Sequence, residues 1–262
     1  DASEARRTAA SSFGTGGSTV VAVYETTAAN PGFGDLTLVK PPNSNWYYWW
    51  SWGEVWWDAE LGKTYYIMLG SQTSVSLGID DYDLYRLSIT QNPNDDFAER
   101  EVLPSDPNVT RFTSNFAAST EGGEPHIDSG EYGGRSLWYE WVAPADGVYA
   151  ADTIHSYLKN RFTDLGLDPD SQGSGGRTQL AVYTGSTLTG LTKIASNSSL
   201  SMRDDDSLVT FNATAGTSYK IAVDSQVGPD SIVSGNTQEY TYRSVIQFNI
   251  STGSVANDDL AN

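Results

Sequence analysis

Residues 14–24, Gly-Thr-Gly-Gly-Ser-Thr-Val-Val-Ala-Val-Tyr, return at 173–183 as Gly-Ser-Gly-Gly-Arg-Thr-Gln-Leu-Ala-Val-Tyr. Further blocks follow in the same order. Leu36-Thr37-Leu38-Val39 answers Leu191-Thr192-Lys193-Ile194. The stretch from Val55 to Ala59 and on through Gly62 to Ile67 answers Val209 to Ala213 and Gly216 to Ile221. Leu87-Ser88-Ile89-Thr90 answers Phe248-Asn249-Ile250-Ser251, and Asn94-Asp95-Asp96-Phe97-Ala98 returns at the end as Asn257-Asp258-Asp259-Leu260-Ala261. The offset stays near 160 residues throughout, as a duplication with altered loops requires. The chain reads as starting halfway through one unit and stopping as another begins, a phase that a piece cut from a longer array explains equally well. Three segments result: a tail plus partial unit over 1–92, a complete unit over 93–252, and a linker opening a further repeat over 253–262.

Around these blocks the apolar residues alternate with period two. Segments such as Thr19–Tyr24, Val55–Trp57, Thr64–Leu69, Ser136–Val142, Gly147–Asp152, Thr178–Tyr183, Ser218–Val223 and Tyr240–Ile250 are rich in β-branched and aromatic residues. Gly, Pro, Asn and Asp bound them, which predicts strands. Turn sequences at Ala145-Asp146-Gly147 and Ala215-Gly216-Thr217 predict hairpins. Only Ile154–Leu165 allows a helical turn, and the small polar residues 1–18 predict a flexible tail. Many short strands with little helix predict an all-β fold, an antiparallel β-sandwich or jelly roll of two related units.

Thirty-three acidic against fifteen basic residues give a net charge of −18 over 262 residues. That balance argues against nucleic acid and anionic membrane as partners. No apolar run is long enough to insert in a membrane. The absence of cysteine and the wealth of Thr, Ser, Gly and Tyr suit a bacterial secreted, extracellular or cell-surface protein. Asn108, Asn197, Asn212 and Asn249 open glycosylation sequons.

The blocks Asn94–Ala98, Gly123-Glu124-Pro125-His126, Ser136–Pro144, Gln179–Gly185 and Val209–Tyr219 together resemble the bacterial pre-peptidase C-terminal (PPC) type of β-sandwich domain. The resemblance covers 94–252 in full and 14–92 as a second half. It implies a non-catalytic jelly-roll module that serves secretion, adhesion, surface attachment or polymer binding, sometimes with calcium. It supplies no catalytic residue.

Two constellations stand out. Six of the eight tryptophans fall within Trp46-Tyr47-Tyr48-Trp49-Trp50-Ser51-Trp52-Gly53-Glu54-Val55-Trp56-Trp57. By the repeat, Trp57 takes the core place of Phe211 and Trp56 faces the other way. Trp46, Tyr47, Tyr48, Trp49, Trp50 and Trp52 answer a polar stretch, and one extended strand would show aromatics on both faces. Such a surface packs against protein or stacks on sugar rings. Calcium, the one cofactor the composition suggests, would draw on oxygens of Asp95, Asp96, Glu124, Asp128 and Asp152. His126 and His155 are the only histidines, and no nucleophile elbow, zinc-binding helix or phosphate loop accompanies them.

The expected function is a structural subunit of an extracellular fibre, sheath or surface layer, a filament-forming protein joined to other copies by strand addition and aromatic packing. A carbohydrate-binding, adhesive module facing polysaccharide is the alternative, and the accessory region of a secreted hydrolase a third reading.

Overall fold

A computed structural model describes residues 6–12, 19–43, 45–47, 50–71, 87–115, 117–127, 134–158, 178–198, 206–225 and 244–253. The chain divides into two compact units between Gln91 and Asn92. Both are all-β, as the alternating pattern requires.

The second unit contains β9 (Glu101–Val102), β10 (Val109–Ser114), β11 (Leu137–Val142), β12 (Gly147–Asp152), β13 (Tyr157–Leu158), β14 (Thr178–Thr184), β15 (Thr192–Asn197), β16 (Leu208–Ala213), β17 (Ser218–Ser225) and β18 (Ser244–Thr252), numbered after the eight strands of the first. They form two sheets, β10-β18-β12-β16 with β13 also on β18, and β15-β14-β17-β11-β9. Every pairing is antiparallel except that of β9 with β11. Alternate residues of both sheets meet in one core around Trp141, Tyr139, Phe248 and Ile221. Trp141 packs edge-on against Tyr149 at 4.9 Å between ring centroids, and Tyr139 stacks on Phe248 at 4.9 Å.

The first unit contains β1 (Arg6–Ser11), β2 (Thr19–Glu25), β3 (Thr37–Asn43), β4 (Asn45–Tyr47), β5 (Trp50–Trp52), β6 (Glu54–Ala59), β7 (Tyr65–Ser71) and β8 (Ser88–Gln91). Its sheets are β6-β1-β8 and β3-β2-β7, beside a β4-β5 hairpin. Ala10, Val21, Val23, Val55, Trp57 and Ala59 form its core.

The two units share registers, not only sequence. Thr19 stands opposite Ser71 and Val21 opposite Leu69, as Thr178 stands opposite Ser225 and Leu180 opposite Val223. Trp57 occupies the place of Phe211 and is equally buried. Each packs on a tyrosine in the first two residues of the next strand, Trp57 on Tyr65 at 5.6 Å and Phe211 on Tyr219 at 5.3 Å. The tyrosine hydroxyl in both units accepts a turn amide, from Glu60 at 2.9 Å and from Thr214 at 3.0 Å. Gly62 and Gly216 give those turns their positive φ, 78° and 75°.

Four expectations change. Residues 6–11 are not a loose tail but β1, which pairs with β6 and β8 as β12 pairs with β16 and β18. The turns at Ala145–Gly147 and Ala215–Thr217 do not close hairpins. Each carries the chain from one sheet to the other, because the strands on either side turn their apolar residues toward a shared core. Residues 153–156 form a hydrogen-bonded turn that leads into β13, where a helical turn was expected; residues 159–165 of that segment lie outside the described residues. The aromatic segment 46–52 is not one extended strand, since its backbone folds as the β4-β5 hairpin with Trp46 opposite Ser51.

Candidate functional site

Among its described residues the first unit has no counterpart of β9, β10 and β11. Among the described residues no strand lies beyond β7 or β8, whereas β17 is flanked by β11 and β18 by β10. The effect shows along one row of side chains. In the second unit Val209, Ala151, Ile250 and Val109 stand side by side across four strands, all buried. The matching row in the first is Val55, Ala10 and Ile89, and there it stops. Ile89 is 58% exposed where Ile250 is 1%, and Leu87 is 41% exposed where Phe248 is 0%. Ile67 and Leu69 are half-buried, although their counterparts Ile221 and Val223 are sealed beneath Tyr139 and Leu137.

On the same β3-β2-β7 sheet the outer face is open too, with Tyr66 and Met68 exposed. In the second unit the corresponding face carries Ala181, Ala222, Trp138 and Tyr183, covered by Phe97 and Ile127. Phe97 and Ile127 come from the same stretch that supplies β9–β11. In the second unit a single stretch thus covers both of the faces whose counterparts are exposed in the first.

The aromatic candidates divide. Trp56 is half-buried on β6, opposite in sense to the core residue Trp57, as the repeat predicts. Trp46, Tyr47, Trp50 and Trp52 contribute backbone to β4 and β5, while their side chains, and Tyr48 and Trp49 entirely, lie outside the described residues.

Beside the outer face of β11, β14 and β17 sits an acidic cleft of about 70 Å³, lined by Glu124, His126, Ser136, Trp138, Gln179 and Asp224 among others. Gln179 and Asp224 are cross-strand partners. Asp224 is buried and accepts the amides of Arg135 at 2.9 Å and Ser225 at 2.6 Å. Burial pushes its carboxyl from the ordinary 3.8 up to about 7, and the neighbouring Glu124 charge adds to the rise. Burial likewise raises Glu124, despite hydrogen bonds from Ser136 at 2.6 Å, the Glu121 amide at 2.9 Å and the Trp138 indole at 3.3 Å. The Nε2 of Gln179 is buried without a partner among the described residues. A space of this volume with polar walls has room for ordered water.

The calcium candidates are not gathered. Asp95 accepts the Ser119 amide and hydroxyl at 2.6 and 2.9 Å. Asp96 precedes the 3₁₀ turn Phe97–Glu99, Glu124 faces the cleft, and Asp152 accepts Ile154 N at 3.0 Å and Asn249 Nδ2 at 2.7 Å. Asp128 lies outside the described residues. Among the described residues no three Asp, Glu, His or Cys side chains stand close enough together to hold a metal ion.

Asp224 and Gln179 escaped the sequence reading because each sits inside a strand that reads as apolar. The repeat itself carried the signal, since Gln179 answers Val20 and Asp224 answers Gly70.

No family model matches this chain. No curated protein matches it either.

Proposed function

We propose that this chain is a non-catalytic structural component of a secreted, extracellular assembly, built from tandem β-sandwich units and joined through strand edges and aromatic contacts. The observation that carries this reading is the uncovered inner face of the first unit. Ile89 by register and Leu87 by the sequence repeat answer core residues of the second unit, yet both are exposed. Burying each is worth about 1.5–3 kcal/mol, and open strand edges beside them favour association. The resemblance to PPC-type modules, the lack of cysteine and the acidic surface support an extracellular setting. The chain's own chemistry supports a non-catalytic role: both histidines are exposed loop residues.

Sedimentation and negative-stain electron microscopy of the full chain test this. The wild type should form ordered multimers, and the double variant Leu87→Asp, Ile89→Asp should sediment as a monomer with unchanged circular dichroism. A wild type that stays monomeric at high concentration would remove the proposal.

A further inference from the structure

We infer that the cleft on the outer face of β14 and β17 is a binding site for a ligand with a primary ammonium group and a hydroxyl or carbonyl oxygen beside it. The site lies within the second unit and does not depend on the assembly reading above.

One row of the sheet and one loop build the cleft. Asp224 on β17 and Gln179 on β14 stand opposite each other, two residues along from the pair Ala222 and Ala181, which belongs to the apolar cluster with Trp138, Tyr183, Phe97 and Ile127. Both polar side chains therefore lie on the outer face, at the end of that cluster. Ser136, just ahead of β11, and the loop with Glu124 and His126 complete the walls.

The repeat shows that the fold does not require this polar pair. Val20 and Gly70 hold the same two places in the first unit, in the same antiparallel register. A buried carboxyl and a buried amide cost solvation that strand pairing alone does not offset.

The walls set the chemistry of the ligand. Asp224 feels the charge of Glu124, and among the described residues neither carboxyl forms an ion pair. A cation relieves that repulsion, whereas a neutral ligand leaves it in place. An ammonium group, with three hydrogens to donate, can serve both carboxyls. Gln179 supplies the second requirement, since its side chain is 1% exposed, lines the cleft and leaves Nε2 without a hydrogen-bond partner among the described residues. Such a buried donor calls for an acceptor. Because Gln179 stands directly beside Asp224, that acceptor belongs within a bond or two of the ligand's nitrogen. A 2-amino alcohol and an α-amino carbonyl compound both carry this arrangement.

NMR titration of the full chain with ethanolamine or glycinamide reads the Gln179 side-chain amide directly. At pH 7 at least one of the two should shift it saturably in the millimolar range, as ligands of so few atoms allow. Binding should be at least tenfold tighter than that of propylammonium, which lacks the oxygen, or ethylene glycol, which lacks the charge. Preference for ethanolamine assigns the acceptor to a hydroxyl, as in an amino sugar, and preference for glycinamide to a carbonyl, as at an α-amino terminus. Gln179→Met should weaken binding at least tenfold. The unsubstituted chain should also bind at least tenfold more weakly at pH 5, where Asp224 holds its proton, an arm that needs no buried substitution. Glu121, Glu124, His126, Arg135 and Tyr183 surround Asp224, so the same comparison in His126→Gln, an exposed loop position, should keep that pH dependence. Absence of binding, equal binding of propylammonium or ethylene glycol, shifts that spread over surface carboxylates without saturating, or a cleft that takes calcium in preference to either amine overturns the inference.

Discussion

Replacing Asp224 by Asn removes a buried charge while keeping an oxygen for the amides of Arg135 and Ser225. The folded carboxyl titrates near 7, against an ordinary value of 3.8, with burial the leading cause. Between those values the folded chain holds a proton that the unfolded chain releases, so the wild type loses stability as the pH climbs. Each pH unit in that window costs about 1.4 kcal/mol, so on the order of 4 kcal/mol separates pH 4 from pH 7. Below the window the contribution is fully present, and above it the loss is complete. The Asn variant carries no such slope at this site. Its stability relative to the wild type should therefore rise between pH 4 and pH 7 and level off beyond, whatever constant offset the amide introduces. Hydrogen exchange of peptides from β14 and β17, corrected for the intrinsic rate at each pH, reads the second unit alone. Parallel pH profiles for the two proteins, or a variant that loses ground as the pH rises, would refute the burial argument.

Three further substitutions probe the frame. Gly53 answers Ser207, yet a Cβ at Gly53 would come within 2.3 Å of the Val21 amide nitrogen. Gly53→Ser should therefore destabilise the first unit by about 1–3 kcal/mol through overpacking, read as lost exchange protection in β2, and a neutral result would show the approach of β2 to be looser than described. Thr153→Val removes the hydroxyl that meets Thr178 Oγ1 at 2.5 Å and accepts the Ser207 amide at 2.8 Å. Leaving that buried amide unpaired should cost about 1–3 kcal/mol in urea unfolding of the second unit. His155 holds a φ of 73° with an exposed side chain, so His155→Gly should raise the melting temperature by the equivalent of about 1 kcal/mol, and a fall would show that the imidazole makes contacts that matter.

The inner faces were the most legible part of the sequence, because alternation marks them directly. Thr178–Tyr183 and Val55–Trp57 show which residues point inward, and the repeat assigns Trp57 to the place of Phe211. The strand β1 was hidden because its inward positions are small. Thr8 stands opposite Trp57, where Tyr149 stands opposite Phe211. The larger ring on one strand leaves room for only a small residue on the other, and Thr8 has no β11 tryptophan to meet as Tyr149 meets Trp141. A segment of Thr, Ala and Ser then reads as a tail. Turn composition located the chain reversals but not their destination, since a reversal within a sheet and one between sheets use the same residues. Glu124 was legible as a loop carboxylate, whereas its cleft depends on residues from β14 and β17 that no local pattern brings together.

A sandwich with one side open still has to keep its two sheets in place, and the hydrogen bonds common to both units explain how the first one does. At one end Ser12, just after β1, meets Thr19 Oγ1 at 2.5 Å, donates its amide to the Gly53 carbonyl at 2.9 Å and accepts the Gly53 amide on its Oγ at 2.8 Å. Thr153, Thr178 and Ser207 repeat this clasp in the second unit. At the other end the Tyr65 hydroxyl on β7 accepts the Glu60 amide just past β6, as Tyr219 does from Thr214. Each tie joins a strand of one sheet to the end of a strand in the other, and β6 runs from the first tie to the second. Directional bonds at both ends, buried around Ser12, Thr19 and Gly53 and exposed at Tyr65, tie the two sheets together. The side of the first unit that exposes Leu87 and Ile89 is thereby held in the shape of a sandwich interior.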